Sequence, residues 1–124
     1  MNIAQIISYM YPDAVPIIDY QVGDDGTGPR ITVWNYVKAP QPDAATLGAN
    51  AAAAANAAAW TIYQLQARAL LDASDVTVLR CYENAVSVPA AWATYRRALR
   101  AIVGASSGDP TQPLPTRPAY PTGT

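Results

Sequence analysis

From Ala44 to Ala73 nearly every residue is a good helix former, and the run opens directly after Pro40 and Pro42, which close whatever precedes it. Asp43 stands where a side chain can cap the first turn. Leu47, Ala51, Ala54 or Ala55, Ala58, Ile62, Leu65 and Ala69 recur every three or four positions, so the sequence predicts one long helix over residues 43–73 with a stripe of mostly small residues. Small residues let another helix approach closely but bury little area, so the stripe supplies geometry and weak adhesion rather than stability. Alanine contributes little transfer energy, and Asn50 and Asn56 interrupt the run, so no membrane span is expected.

Around that helix the pattern is mixed. Ile3, Ile6, Ile7 and Met10 are at helical spacing before Pro12, which predicts a short opening helix. Val15–Val22 and Ile31–Val37 are rich in β-branched and aromatic residues and predict two paired strands. Between them Gly23-Asp24-Asp25-Gly26-Thr27-Gly28-Pro29 suits a hairpin loop. Asp72, Ser74 and Asp75 predict a break, with Ser74 or Asp75 capping a short helix through Val76, Val78, Leu79 and Tyr82. Ala85–Pro89 is then a connection, and Ala90–Val103 predicts a helix with Trp92, Tyr95, Leu99, Ile102 and Val103 on one face, stopped by Gly104. Residues 106–124 carry Pro110, Pro113, Pro115, Pro118 and Pro121 and few aliphatics, so the tail is expected to be extended, either free or laid along a partner. The fold class is α+β, in four pieces: a small α/β-hairpin unit (1–42), the long Ala-rich helix (43–73), a C-terminal helical unit (74–104) and the Pro-rich tail (105–124).

Composition narrows the function classes. A chain of 124 residues buries only a modest core before it depends on partners. A formal charge of −1 with pI near 5.0 is unlike the basic surface that neutralises phosphates, so nucleic acid is not an expected partner. Histidine is absent, which removes the commonest general base, metal ligand and nucleophile activator, and neither catalysis nor a cofactor is expected. Cys81 is the single cysteine, so it forms no internal disulfide; a buried, inert thiol is the expectation. No secretory leader is legible at Met1–Gln5, and a cytosolic setting fits best.

Seven residues stand out as partner-binding candidates: Trp34, Trp92, Tyr95, Arg96, Leu99, Arg100 and Tyr120. Trp92, Tyr95 and Leu99 line up on one helical face, where a core role is the commoner reading, yet Trp and Tyr are also frequent interface anchors. Arg96 and Arg100 lie one turn apart and could meet acidic groups on a partner, or pair internally with Asp72, Asp75 or Glu83. Trp34 lies on a strand that either accepts another chain's strand or packs against the first helix. Asp24 and Asp25 superficially suggest a calcium loop, but the 12-residue ligand pattern is missing and turn formation explains them; Asp72 and Asp75 read as helix-end caps.

Three runs follow one another near the C-terminus: Leu71-Asp72-Ala73-Ser74-Asp75 through Arg80, Trp92-Ala93-Thr94-Tyr95-Arg96-Arg97-Ala98-Leu99-Arg100, and Leu114-Pro115-Thr116-Arg117-Pro118-Ala119-Tyr120-Pro121. In that order they resemble the C-terminal region of bacteriophage tail-fibre assembly chaperones. The N-terminal part, Tyr11-Pro12-Asp13-Ala14, then Asp24-Asp25-Gly26-Thr27-Gly28, then Ile31-Thr32-Val33-Trp34-Asn35, resembles a small phage tail family named for a defective Bacillus prophage. The alanine-rich helix departs from both patterns. The resemblance implies a protein that binds the C-terminal region of a tail-fibre protein in the host cytoplasm, promotes its trimerisation, and in some phages stays on the virion tail. A permanent tail or baseplate component, such as a fibre adaptor or cap, is the first alternative. A self-assembling module, homo-oligomeric through the Ala-rich helix, is the second.

Overall fold

The computed structural model describes all 124 residues, as three helices and one antiparallel hairpin. The α+β class is as expected. The elements are α1 (Ile3–Met10), β1 (Tyr20–Asp24), β2 (Pro29–Trp34), α2 (Ala44–Glu83) and α3 (Ala90–Gly104). The chain forms two compact units, Met1–Ala58 and Ala59–Thr124, and α2 contributes residues to both.

In the first unit, Asn2 caps α1 by accepting from the Gln5 amide at 3.0 Å, and the helix buries Ile3, Ile6 and Ile7. Those residues share a core with Ala14, Tyr20, Leu47 and Ala54. β1 and β2 pair from Tyr20 opposite Trp34 to Asp24 opposite Pro29, with a bulge between Gln21 and Val22. The aspartates close the loop as turn formers. Asp24 Oδ1 accepts from the Gly26 and Gly28 amides at 2.8 and 3.1 Å, both glycines have positive φ, and Asp25 accepts from Thr27 and pairs with Arg30.

The first strand is shorter than expected. Ile17–Asp19 form a tight turn instead and Pro16 makes only an isolated bridge to Tyr20, because Pro16 has no N–H to extend a ladder and Asp19 captures the Val15 amide with its carboxylate at 2.7 Å. The second strand ends at Trp34, before Tyr36 and Val37.

Asp43 caps α2 as expected, accepting from the Thr46 amide at 2.7 Å; hydrogen bonding from the Thr46 side chain, then from that amide, holds its carboxyl below the ordinary value. The expected break at Asp72–Asp75 is absent and α2 runs on to Glu83. Ser74 does not cap: its hydroxyl donates to the Leu71 carbonyl of the preceding turn at 2.6 Å and accepts from Arg96, whose guanidinium also reaches Asp75 at 2.7 Å. The expected stripe holds for Leu47 and Ala54, but beyond residue 58 burial passes to Trp60, Tyr63, Ala67, Ser74, Thr77 and Cys81, leaving Ile62, Leu65 and Ala69 exposed. Trp60 and Tyr63 stack at 5.2 Å and bury more area than the aliphatics they displace.

α2 stops at a tight left-handed end. The Val86 amide bonds back to the Cys81 carbonyl at 2.8 Å while Ala85 takes φ 54°, a role usually filled by glycine. α3 buries Trp92, Tyr95 and Leu99 against Ala67, with Leu70, Leu71, Ile102, Val103 and Leu114 around them. Its last carbonyls have an external donor. The Gln64 amide nitrogen reaches the carbonyls of Ile102, Val103 and Ala105 at 3.0, 3.3 and 2.6 Å.

The tail is not free. Trp92 Nε1 donates to the Ala119 carbonyl at 2.9 Å, Tyr63 Oη donates to the Pro113 carbonyl at 3.3 Å, Tyr120 stacks on Trp92, and Pro121 is buried. Gly108 lies so close to the Trp60 ring that a Cβ would come within 2.5 Å. The segment therefore covers α2 and α3 of its own unit.

Two substitutions test these ends. Ala85→Gly removes the left-handed strain at an exposed site and raises unfolding stability by about 1 kcal/mol in urea titration. Gln64→Glu replaces the shared donor by a carboxylate facing three carbonyls and lowers stability by about 2 kcal/mol at pH 7. The new carboxyl titrates above its unfolded value, so the neutral acid restores a donor and most of the loss is recovered as pH falls toward 4.

Candidate functional site

Within the first unit the turn after α1 determines what is presented outward. The Asp19 amide donates to the Val15 carbonyl and the Ile17 amide to the Tyr20 carbonyl, each at 2.8 Å, so the four residues between are fixed. In that frame Ile17 has φ 73°, a conformation that costs a β-branched residue about 1–3 kcal/mol, and its side chain is 78% exposed. Val15 and Ile18 beside it are also exposed. Pro16 and Ile17 form one wall of a groove of about 560 Å³, whose other walls include Gln5 and Ser8 of α1 and Tyr20 and Val22 of β1. No charged side chain lines it. The lining mixes apolar Ala4, Pro16, Ile17 and Val22 with the uncharged hydrogen-bonding groups of Asn2, Gln5, Ser8, Tyr20 and Gln21.

Next to this turn, Asp13 ties the chain to the end of the hairpin. Its carboxylate accepts from Tyr36 Oη at 2.7 Å and pairs with Lys38. The Lys38 bond, then the Tyr36 bond, hold the Asp13 carboxyl below its ordinary 3.8; Asp13 in turn raises the Tyr36 phenol above 10.0 and the Lys38 ammonium above 10.5. Tyr11, Trp34 and Tyr36 pack ring to ring at 5.2–5.8 Å over this tie.

The partner-binding candidates fall into different places. Trp34 is half-buried, packs on Tyr11 just after α1, and donates from Nε1 to the Ala39 carbonyl at 3.0 Å. Trp92, Tyr95 and Leu99 lie in the core of the second unit, Trp92 only 1% exposed. Arg96 is taken up by Ser74 and Asp75, the internal pairing weighed above, while Arg100 is exposed. Tyr120 is exposed on one face, with Trp92 behind it and the Arg117 guanidinium 4.1 Å from its ring centre. The structure brings Trp92, Tyr95, Leu99 and Tyr120 together and leaves Trp34 in the other unit. Sequence reasoning passed over Ile17, and the signal available was its place between Pro16 and Asp19, a turn-forming frame around an aliphatic. No group of three or more Asp, Glu or Cys side chains comes together to hold a metal ion, and Cys81 is fully buried.

The profile of the family described as XkdW protein matches residues 3–67. The chain belongs to the XkdW family. XkdW proteins are associated with Bacillus phages and prophages, so this is a phage-related protein. The XkdW match spans α1, the strained turn, the hairpin and the first part of α2, and so includes every residue of the groove except Asn2. No curated protein and no solved structure matches the chain. No helix is long and apolar enough to cross a membrane.

The Asp13 tie has a defined pH window. The Asp13 contribution is present above 3.8 and lost as pH falls through its lowered folded value; the Tyr36 and Lys38 contributions are present below 10.0 and 10.5 and lost on the alkaline side. Asp13→Asn is expected to flatten the acid limb of the stability profile below pH 3.8 and leave the limb above neutrality shallower, read by tryptophan fluorescence across a pH series.

Proposed function

We propose that this XkdW-family chain is a tail-fibre assembly chaperone. It binds the C-terminal region of a phage tail-fibre protein in the host cytoplasm and covers apolar surface while the fibre subunits trimerise. Family membership supports the phage setting, and the resemblance of residues 71–121 to tail-fibre chaperones supports the finer role. The observation that carries the reading is Ile17, whose left-handed backbone is held by the bond from its amide to the Tyr20 carbonyl while the residue stays 78% exposed. Such a residue is accounted for by a partner that buries it. The tail already covers its own unit, so the fibre contact is assigned to the groove and turn of the first unit. The action is binding without turnover or cofactor.

Co-expression with a tail-fibre protein from the same phage or prophage tests the proposal. Soluble trimeric fibre that depends on this chain supports it, and co-purification with intact particles adds a lasting structural role on the tail or baseplate. Fibre that trimerises equally well alone, with nothing co-purifying, overturns it. Ile17→Gly is expected to raise thermal stability through relief of about 1–3 kcal/mol of strain while lowering the yield of soluble fibre. A glycine variant that keeps full yield would remove Ile17 from the contact.

A further inference from the structure

α2 carries a second apolar row on the side of the helix away from its core. In the second unit the core side is formed by Trp60, Tyr63, Ala67, Ser74, Thr77 and Cys81. At about 100° per residue, Ile62, Leu65, Ala69, Val76 and Leu79 point the opposite way. The four large members are 59, 63, 52 and 55% exposed. Their spacing is that of the a and d positions of a heptad repeat, with Asp72 filling the d position between Ala69 and Val76. Arg68 and Asp72 are both exposed, and neither takes part in an ion pair within the chain.

The row is its own complement when reversed. Turned about a point between Leu70 and Leu71, Ile62 meets Leu79, Leu65 meets Val76, and Ala69 meets Asp72, which are the a-to-d layers of an antiparallel helix pair. The central layer then sets the small Ala69 against Asp72 and brings Arg68 of each copy beside Asp72 of the other, two opposite charges at each end of the layer. A parallel pair would stack Asp72 on Asp72, like charge on like charge. Self-complementarity in shape and in charge is what a two-fold dimer interface requires of one surface.

We propose that two copies of this chain pair through Ile62, Leu65, Val76 and Leu79 of α2 as an antiparallel, two-fold symmetric dimer. The interface is independent of the fibre and of the groove in the first unit. It is made by the outward aliphatic row rather than by the alanines expected to serve it.

Sedimentation of the full chain is expected to show a reversible monomer–dimer equilibrium in the range of about 1–100 μM that a small interface supports. Leu65→Lys alone and Val76→Glu alone each place two charges against apolar partners in the homodimer and are expected to weaken it by about 100-fold. Both sites are exposed, so circular dichroism is expected to match the unsubstituted chain. Mixing the two variants is the deciding step. In the antiparallel register Lys at one site faces Glu at the other, while the second layer remains Leu65 against Val76, so a one-to-one heterodimer is restored. A chain that stays monomeric throughout that range, a dimer that neither variant weakens, or variants that fail to pair on mixing would each overturn the proposal.

Discussion

Alanine buries about one methyl group, so a helix built largely of alanine cannot hold a core by itself. That constraint governs both units. Around Leu47 and Ala54 the first unit supplies Ile3, Ile6, Ile7 and Tyr20, and around Ala67 the second supplies Trp92, Tyr95 and Leu99. The small residues of α2 let these large side chains approach the backbone closely. Each unit consequently rests on a few bulky residues, and truncation of one of them removes much of what the unit has, on the order of 3–5 kcal/mol for a buried aromatic.

The tail solves a related problem. A proline-rich segment has few amide donors, so it can dock without leaving many N–H groups unsatisfied, but its carbonyls still need partners. Trp92 and Tyr63 supply those donors from side chains, to Ala119 and Pro113. The indole of Trp92 therefore fills the core with its ring, edge-on to Tyr95, and holds the tail with its nitrogen. Trp60, beneath Gly108, is buried in the same way except that its N–H has no acceptor within the protein.

Much of this was legible because the deciding physics is local. α1 was readable from four apolar residues ahead of Pro12, the hairpin from its Asp-Gly loop, the start of α2 from Asp43, and α3 from its apolar face and Gly104. What was not legible depends on residues far apart. Ser74 and Asp75 have the same composition whether they cap a new helix or meet Arg96 from another element, and only the fold decides. The buried side of α2 was misplaced because Ile62 and Leu65 extend the earlier stripe in sequence, whereas Trp60 and Tyr63 win the burial. The docking of the tail and the capping of α3 by Gln64 turn on contacts spanning 27 to 50 residues, which no window of sequence contains. At the candidate site the composition of the turn was visible, but the backbone angle that makes Ile17 unusual was not.

Cys81 lies fully buried four residues before Ala85, the left-handed residue that ends α2. A thiol so enclosed reacts with a soluble alkylating or oxidising agent only during the moments when the last turns of the helix open. Its rate of modification is therefore set by an opening equilibrium rather than by intrinsic thiol chemistry. Because it is the single sulfhydryl in the chain, it works as a clock: any event that tightens the second unit slows that reaction, and any event that loosens it speeds it up.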